Sequence, residues 1–327
     1  MSIGQSVAYR IRPNKALDRE LFLSFLVWLS PRLSLKEYQY LGLGGPFLED
    51  FRLVHSRTGI RKMTCIECEY QIHKRQMFNR PLSSIKCINS RLEDYLDETE
   101  LKTPVIIWFD YTNPNDLKSQ IERFAYTAGS VKVGSILRIT LNANPSSLGN
   151  QNSCDNNNDN AVDRSPLRTL QEYRLLTLKE RLGDLFPSGL SVEGMVMKTY
   201  GLTLLKVLEI AVDKQMLSYR DRSVAWAFTT HYADGQAMVT ATLVVLDNGN
   251  KDIEKLIKNW EYYTPINCPH KLNLPDLSTF ERLTMESRIN RNNLLKYELP
   301  LTDLGDDPIK TFKKFYRIYP HFSRIEL

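Results

Sequence analysis

The chain has 327 residues, enough for one large α/β domain with additions or two modest domains. Hydrophobic residues make up 42% and charged residues 25%, an ordinary composition for a soluble globular protein. The net charge of +5 is dispersed, with no run of five or six like charges, so no basic tail argues for nucleic acid; such a partner is left open but not indicated.

The segment before residue 38 predicts one helix with Leu21, Phe25, Trp28 and Leu29 inward. Residues 21–29 are apolar but too short to cross a bilayer, which takes about 20 residues. Arg10, Arg12, Lys15, Arg19 and Glu20 precede them too closely for a secretory signal. The expectation is a cytoplasmic protein with no membrane partner. Residues 38–45 then read as a short strand running into glycines. Residues 46–57 read as a helix, with Pro46 in its first turn. Strands over 63–69, 85–89, 105–111 and 135–143 follow, with helices over 70–78 and 115–128 between them. The fourth strand, VIIWFDY, is nearly all apolar, as expected of a strand buried on both faces of a parallel sheet. Alternation of this kind implies right-handed βαβ units and a doubly wound sheet.

Residues 144–164, rich in asparagine, break the pattern and predict a mobile loop over the carboxyl edge of the sheet. Helices over 167–185 and 192–216 come next. Asp234-Gly235 then marks a hairpin turn between two strand-like runs in residues 223–247. Six prolines break up residues 250–327, and a last helix is expected over 308–316. This divides the chain into an N-terminal helical extension (1–37), a main domain (38–247) and a C-terminal appendage (248–327).

Five cysteines, an odd number in a long chain, argue against a disulfide framework. Cys65 and Cys68 form a C-x-x-C inside an apparent strand, where their side chains would point to opposite faces. No second Cys or His pair stands at zinc spacing, and no metal is expected.

Three pieces carry candidate chemistry. Gly42, Gly44 and Gly45 after the first strand let a backbone come close to a nucleotide-like ligand at a helix N-terminus. Phe47 stands where the dinucleotide fingerprint has its third glycine, which counts against a pyrophosphate. Glu67 ends the second strand about 20 residues beyond the glycines, where a ribose diol is held; Glu69 is the alternative. Asp110 and Tyr111 end the fourth strand at the same edge, the acid placed to orient a nucleophile, accept its proton or touch the ligand's amino group and the ring to stack on a planar substrate. His231, in the first hairpin strand, reads as a structural histidine.

LGLGGP, CIECE, WFDYTNP and the 223–247 hairpin, in this order, resemble the class I Rossmann-like S-adenosylmethionine-dependent methyltransferases over residues 38–247. The resemblance implies a mostly parallel seven-stranded sheet ending in an antiparallel hairpin. It implies S-adenosylmethionine as cofactor, with Gly42, Gly44 and Gly45 along its methionine and ribose side, Glu67 on the ribose hydroxyls, Ser90 beside the adenine and Asp110 near the amino group. Asp110 and Tyr111 are the catalytic candidates. The run Asp110-Tyr111-Thr112-Asn113-Pro114 departs from the D/N-P-P-Y/F motif of amino-methylating enzymes, which counts against adenine or cytosine N-methylation and favours an oxygen or a non-nucleobase nitrogen as acceptor. The acceptor itself is not legible, and a homo-oligomer stays open. Two alternatives remain: a catalytically degenerate relative serving as a binding or assembly module, and a nucleic-acid methyltransferase.

Overall fold

A computed structural model describes residues 12–150, 169–249, 251–275, 277–289 and 306–319. Its organising element is one eight-stranded sheet, ordered β3-β2-β1-β4-β5-β7-β6-β8. The strands are β1 (Gln39–Gly42), β2 (Lys62–Ile66), β3 (Ile85–Ile88), β4 (Val105–Asp110), β5 (Ile136–Asn142), β6 (Arg222–Asp234), β7 (Gln236–Asp247) and β8 (His270–Leu272). The first five run parallel, and β7 enters antiparallel between β5 and β6. The doubly wound, Rossmann-like sheet and its hairpin are thus as expected. The count is eight rather than seven, because β8, in a stretch whose prolines hide a three-residue strand, pairs parallel with β6.

The helices are α1 (Pro13–Leu29), α2 (Glu49–Thr58), α3 (Tyr70–Asn79), α4 (Leu92–Glu98), α5 (Leu117–Ser130), α6 (Leu170–Leu182), α7 (Tyr200–Met216), α8 (Lys251–Lys258), α9 (Thr279–Ser287) and α10 (Asp306–Phe315). Two cores result, one on each face of the sheet. Alternation within β4 shows the division: Ile106 and Trp108 join α1, α2 and the C-terminal helices, while Val105, Ile107 and Phe109 join α5, α6 and α7. The first helix is embedded in this body, with Leu17, Leu21, Phe22, Phe25, Leu26 and Leu29 buried at helical spacing.

Two boundaries move for local reasons. The helix expected from Pro46 starts at Glu49, because Gly44, Gly45 and Leu48 hold positive φ angles of 68°, 54° and 52° and turn the chain first. The second strand ends at Ile66, so buried Cys65 lies within it and exposed Cys68 beyond it. Residues 151–164 of the Asn-rich loop lie outside the described residues, as does Cys154.

Candidate functional site

β1 lies between β2 and β4, with Gly42 level with Cys65 on one side and Trp108 on the other. From β1 the chain crosses to β2, and from β4 it crosses the other way to β5, so a crevice opens between their carboxyl ends. Four elements deliver the expected residues to this edge in the order Ser90, Glu67, Gly42, Asp110.

The glycine turn is fastened from below. Gln76 on α3 donates from Nε2 to the carbonyls of Leu43 (3.0 Å) and Gly45 (3.1 Å), and Asn79 donates to that of Pro46 (2.8 Å). A Cβ on Gly44 would stand 2.6 Å from Phe51 Cε2 and 2.8 Å from Leu48 Cδ2. The missing side chain therefore lets α2 close under the turn, and the positive φ adds a second demand for glycine.

Glu67 and Ser90 meet. The Glu67 carbonyl accepts from Ser90 N (3.2 Å) and Asn89 Nδ2 (2.7 Å), and Glu67 Oε1 accepts from Glu69 N (2.8 Å), just ahead of α3. Burial pushes the Glu67 carboxyl up, and the neighbouring Glu69 charge adds to this, against hydrogen bonds that hold it down.

Asp110 is met by the N-terminal helix. Lys15, in the first turn of α1, places Nζ 3.0 Å from Asp110 Oδ2, and both side chains are largely buried. The other oxygen, Oδ1, is buried without a hydrogen-bond partner. Burial opposes ionisation of this carboxyl. The Lys15 charge and hydrogen bond, with lesser help from Thr140 and Arg138, outweigh that and hold it below the usual carboxylate range. Tyr111 points the other way: its hydroxyl donates to Glu93 Oε1 on α4 (2.8 Å), and burial with the Glu93 charge pushes it far up. The structure therefore brings Gly42, Glu67, Ser90 and Asp110 to one edge, while the Tyr111 hydroxyl is committed to α4.

Around Lys15 lies a row of buried polar groups. Asp234, at the hairpin tip, accepts from the backbone N–H groups of Asn14 (3.3 Å) and Lys15 (2.7 Å), which caps the first turn of α1. One turn on, Asp18 Oδ1 pairs with Arg138 (2.6 Å) and accepts from Thr230 (2.6 Å) and Thr240 (3.1 Å). The Arg138 guanidinium is enclosed by the rings of Phe22, Trp108 and Phe228, at 5.0, 4.8 and 5.1 Å from their centroids. Arg19 pairs with Asp50 on α2. The buried Tyr232 hydroxyl has no hydrogen-bond partner; burial raises it far above its ordinary value, and the Asp18 and Asp110 charges add to this, so it remains a donor. The signal available in the sequence is Arg138 inside the apolar run SILRITLNA, since a buried strand tolerates an arginine only with a partner.

His231 packs on Gly201 of α7, and burial, with Lys271 nearby, lowers its affinity for a proton. Among the described residues no group of three or more His, Cys, Asp or Glu side chains is arranged to hold a metal, and no helix is long and apolar enough to cross a membrane.

Residues 7–327 match the family profile described as "Putative O-methyltransferase". The chain belongs to this family. A search of curated proteins gives no match. Among solved structures, the plantazolicin methyltransferase BamL, in complex with a desmethylPZN analog and SAH, is similar at 15% identity over 72% of this chain and 87% of that one, with a TM-score of 0.37. The N-methyltransferase NodS from Bradyrhizobium japonicum is similar at 9% identity over 70% and 95%, with a TM-score of 0.35. An rRNA methylase from Streptococcus thermophilus is similar at 10% identity over 69% and 95%, with a TM-score of 0.35.

Proposed function

We propose that this chain is an S-adenosylmethionine-dependent O-methyltransferase whose cofactor lies at the carboxyl ends of β1, β2 and β4. The observation that carries this reading is the Lys15–Asp110 pair, beside the Gly42 turn, with one carboxylate oxygen buried and unpartnered. An amino-acid tail bears one positive and one negative group, and a juxtaposed carboxylate and ammonium match both. Asp110 would hold the cofactor's ammonium, Lys15 its carboxylate, Glu67 the ribose hydroxyls and Ser90 the adenine side. When bound, the cofactor supplies a methyl already activated on a sulfonium. A carboxylate held ionised by Lys15 is better at accepting a hydrogen bond than at taking up a proton, so Asp110 orients rather than deprotonates. The O-directed assignment rests on the family description and on the departure from the double-proline motif after Asp110.

Calorimetric titration with S-adenosylmethionine and S-adenosylhomocysteine tests this. Micromolar affinity should weaken at least tenfold in Glu67→Ala and in Asp110→Asn, about 1.4 kcal/mol each. A folded wild-type protein that binds neither ligand is a binding or assembly module, and the proposal fails.

A further inference from the structure

Most amphipathic helices bury an apolar stripe. The helix that follows Glu67 does the opposite: α3 buries only Gln76, and the partners of that side chain are the carbonyls of the glycine turn. Its larger apolar residues face outward, with Phe78 90% exposed, Tyr70 55% and Met77 44%. Cations stand among them. Lys74 Nζ lies 4.5 Å from the Tyr70 ring centroid, and the Arg75 guanidinium lies 5.0 Å from that of Phe47 in the glycine turn. No acidic residue occurs between Tyr70 and Asn79.

Tyr70, Lys74 and Phe78 follow one another at four-residue spacing, so they form one stripe, ring–cation–ring, with steps of about 6 Å. A protein interface concentrates apolar groups at its centre and is depleted of lysine there, whereas Lys74 sits in the middle of this stripe. A self-complementary dimer centred on this stripe would set Lys74 beside its own copy. A strand that is anionic along its backbone and carries flat π-faces satisfies both kinds of group at once, the cations taking phosphates and the rings taking bases.

We propose that the exposed face of α3 is a docking rail for single-stranded nucleic acid, leading away from the crevice at Glu67. The rail rests on the α3 surface and not on the cofactor reading, so the two can fail separately.

Fluorescence anisotropy without cofactor tests it, using a labelled 20-nucleotide oligouridylate, an oligothymidylate of equal length and a 20-residue polyglutamate peptide over a range of KCl concentrations. The wild type should bind at least one oligonucleotide, and the difference between the two distinguishes RNA from DNA. In Lys74→Ala/Arg75→Ala the slope of log affinity against log salt should fall by about 1.4, roughly 0.7 for each cation lost. Phe78→Ala should weaken binding about tenfold and leave that slope unchanged. Three results each overturn the proposal: no oligonucleotide binding by the wild type, binding insensitive to all three substitutions, or polyglutamate bound as tightly with the same sensitivity. A wild-type dimer that Phe78→Ala dissociates would overturn it too, since the face then belongs to a second copy.

Discussion

Lys15 Nζ and Asp110 Oδ2 stand 3.0 Å apart across 95 residues of sequence, and this contact joins the first turn of α1 to the end of the fourth strand. Removing either partner leaves a buried charge uncompensated. Lys15→Met and Asp110→Asn should therefore each destabilise the fold by about 3 kcal/mol. The double variant should recover part of that loss. Urea denaturation of the four proteins gives the coupling; additive losses would mean that the two side chains do not stabilise each other.

Asp18 and Arg138 form a second buried pair, fully excluded from solvent. Asp18→Asn should cost about 3–5 kcal/mol, because the guanidinium stays enclosed by three rings and loses its counter-charge. Joint replacement, Asp18→Leu with Arg138→Met, should be markedly less harmful than Asp18→Asn alone. The same denaturation measurement decides it.

Gly44→Ala should destabilise by about 3 kcal/mol, from the left-handed backbone together with the crowding against Phe51 and Leu48. Gly235→Ala is the control. It shares a positive φ of 91°, but nothing stands within 4 Å of the added carbon, so only the backbone cost of about 1–2 kcal/mol remains. Equal losses at the two sites would show that packing under the turn is not tight.

Tyr111→Phe should lower stability by about 1–2 kcal/mol through the lost hydrogen bond to Glu93, while methyl transfer to an accepted substrate changes by less than about threefold. A large fall in kcat with unchanged stability would instead make the hydroxyl part of the chemistry.

His270 ties β8 to its surroundings: Nε2 meets the Tyr262 carbonyl (2.9 Å) and Nδ1 meets Lys314 Nζ (3.0 Å). Burial, with the Lys314 charge, lowers its pKa to about 4. Between the ordinary histidine value of about 6.5 and that lowered value, the unfolded chain holds the proton and the folded one does not. This contribution is therefore complete above about pH 6.5 and is lost as pH falls toward about 4, by up to about 1.4 kcal/mol per unit. Stability against pH should be flatter over that window in His270→Gln than in the wild type; parallel curves would refute the assignment.

Much of this is legible in the sequence because it is periodic. VIIWFD announces a strand buried on both faces, and Asp234-Gly235 announces the hairpin that separates this sheet from an ordinary dinucleotide fold. β8 is not legible, since three residues among prolines show no alternation and are held by pairing with β6. Gly44 reads in the sequence as room for a ligand, yet its bare Cα serves the packing of Phe51 and Leu48. Nothing in the sequence says which residues Lys15, Asp18 and Arg19 pair with. Their partners Asp110, Arg138 and Asp50 come from three separate elements, and only the fold reveals that the charges are matched.

Synthesis meets these contacts in an awkward order. α1 leaves the ribosome well before the hairpin, and the aspartate that caps its opening turn is made 219 residues after Lys15. At about 5–20 residues per second the helix waits roughly ten to forty seconds for that cap. For that interval Phe25 lacks Phe228 of β6, a ring it packs against, so nascent chains that stop short of the hairpin should be the ones that chaperones hold.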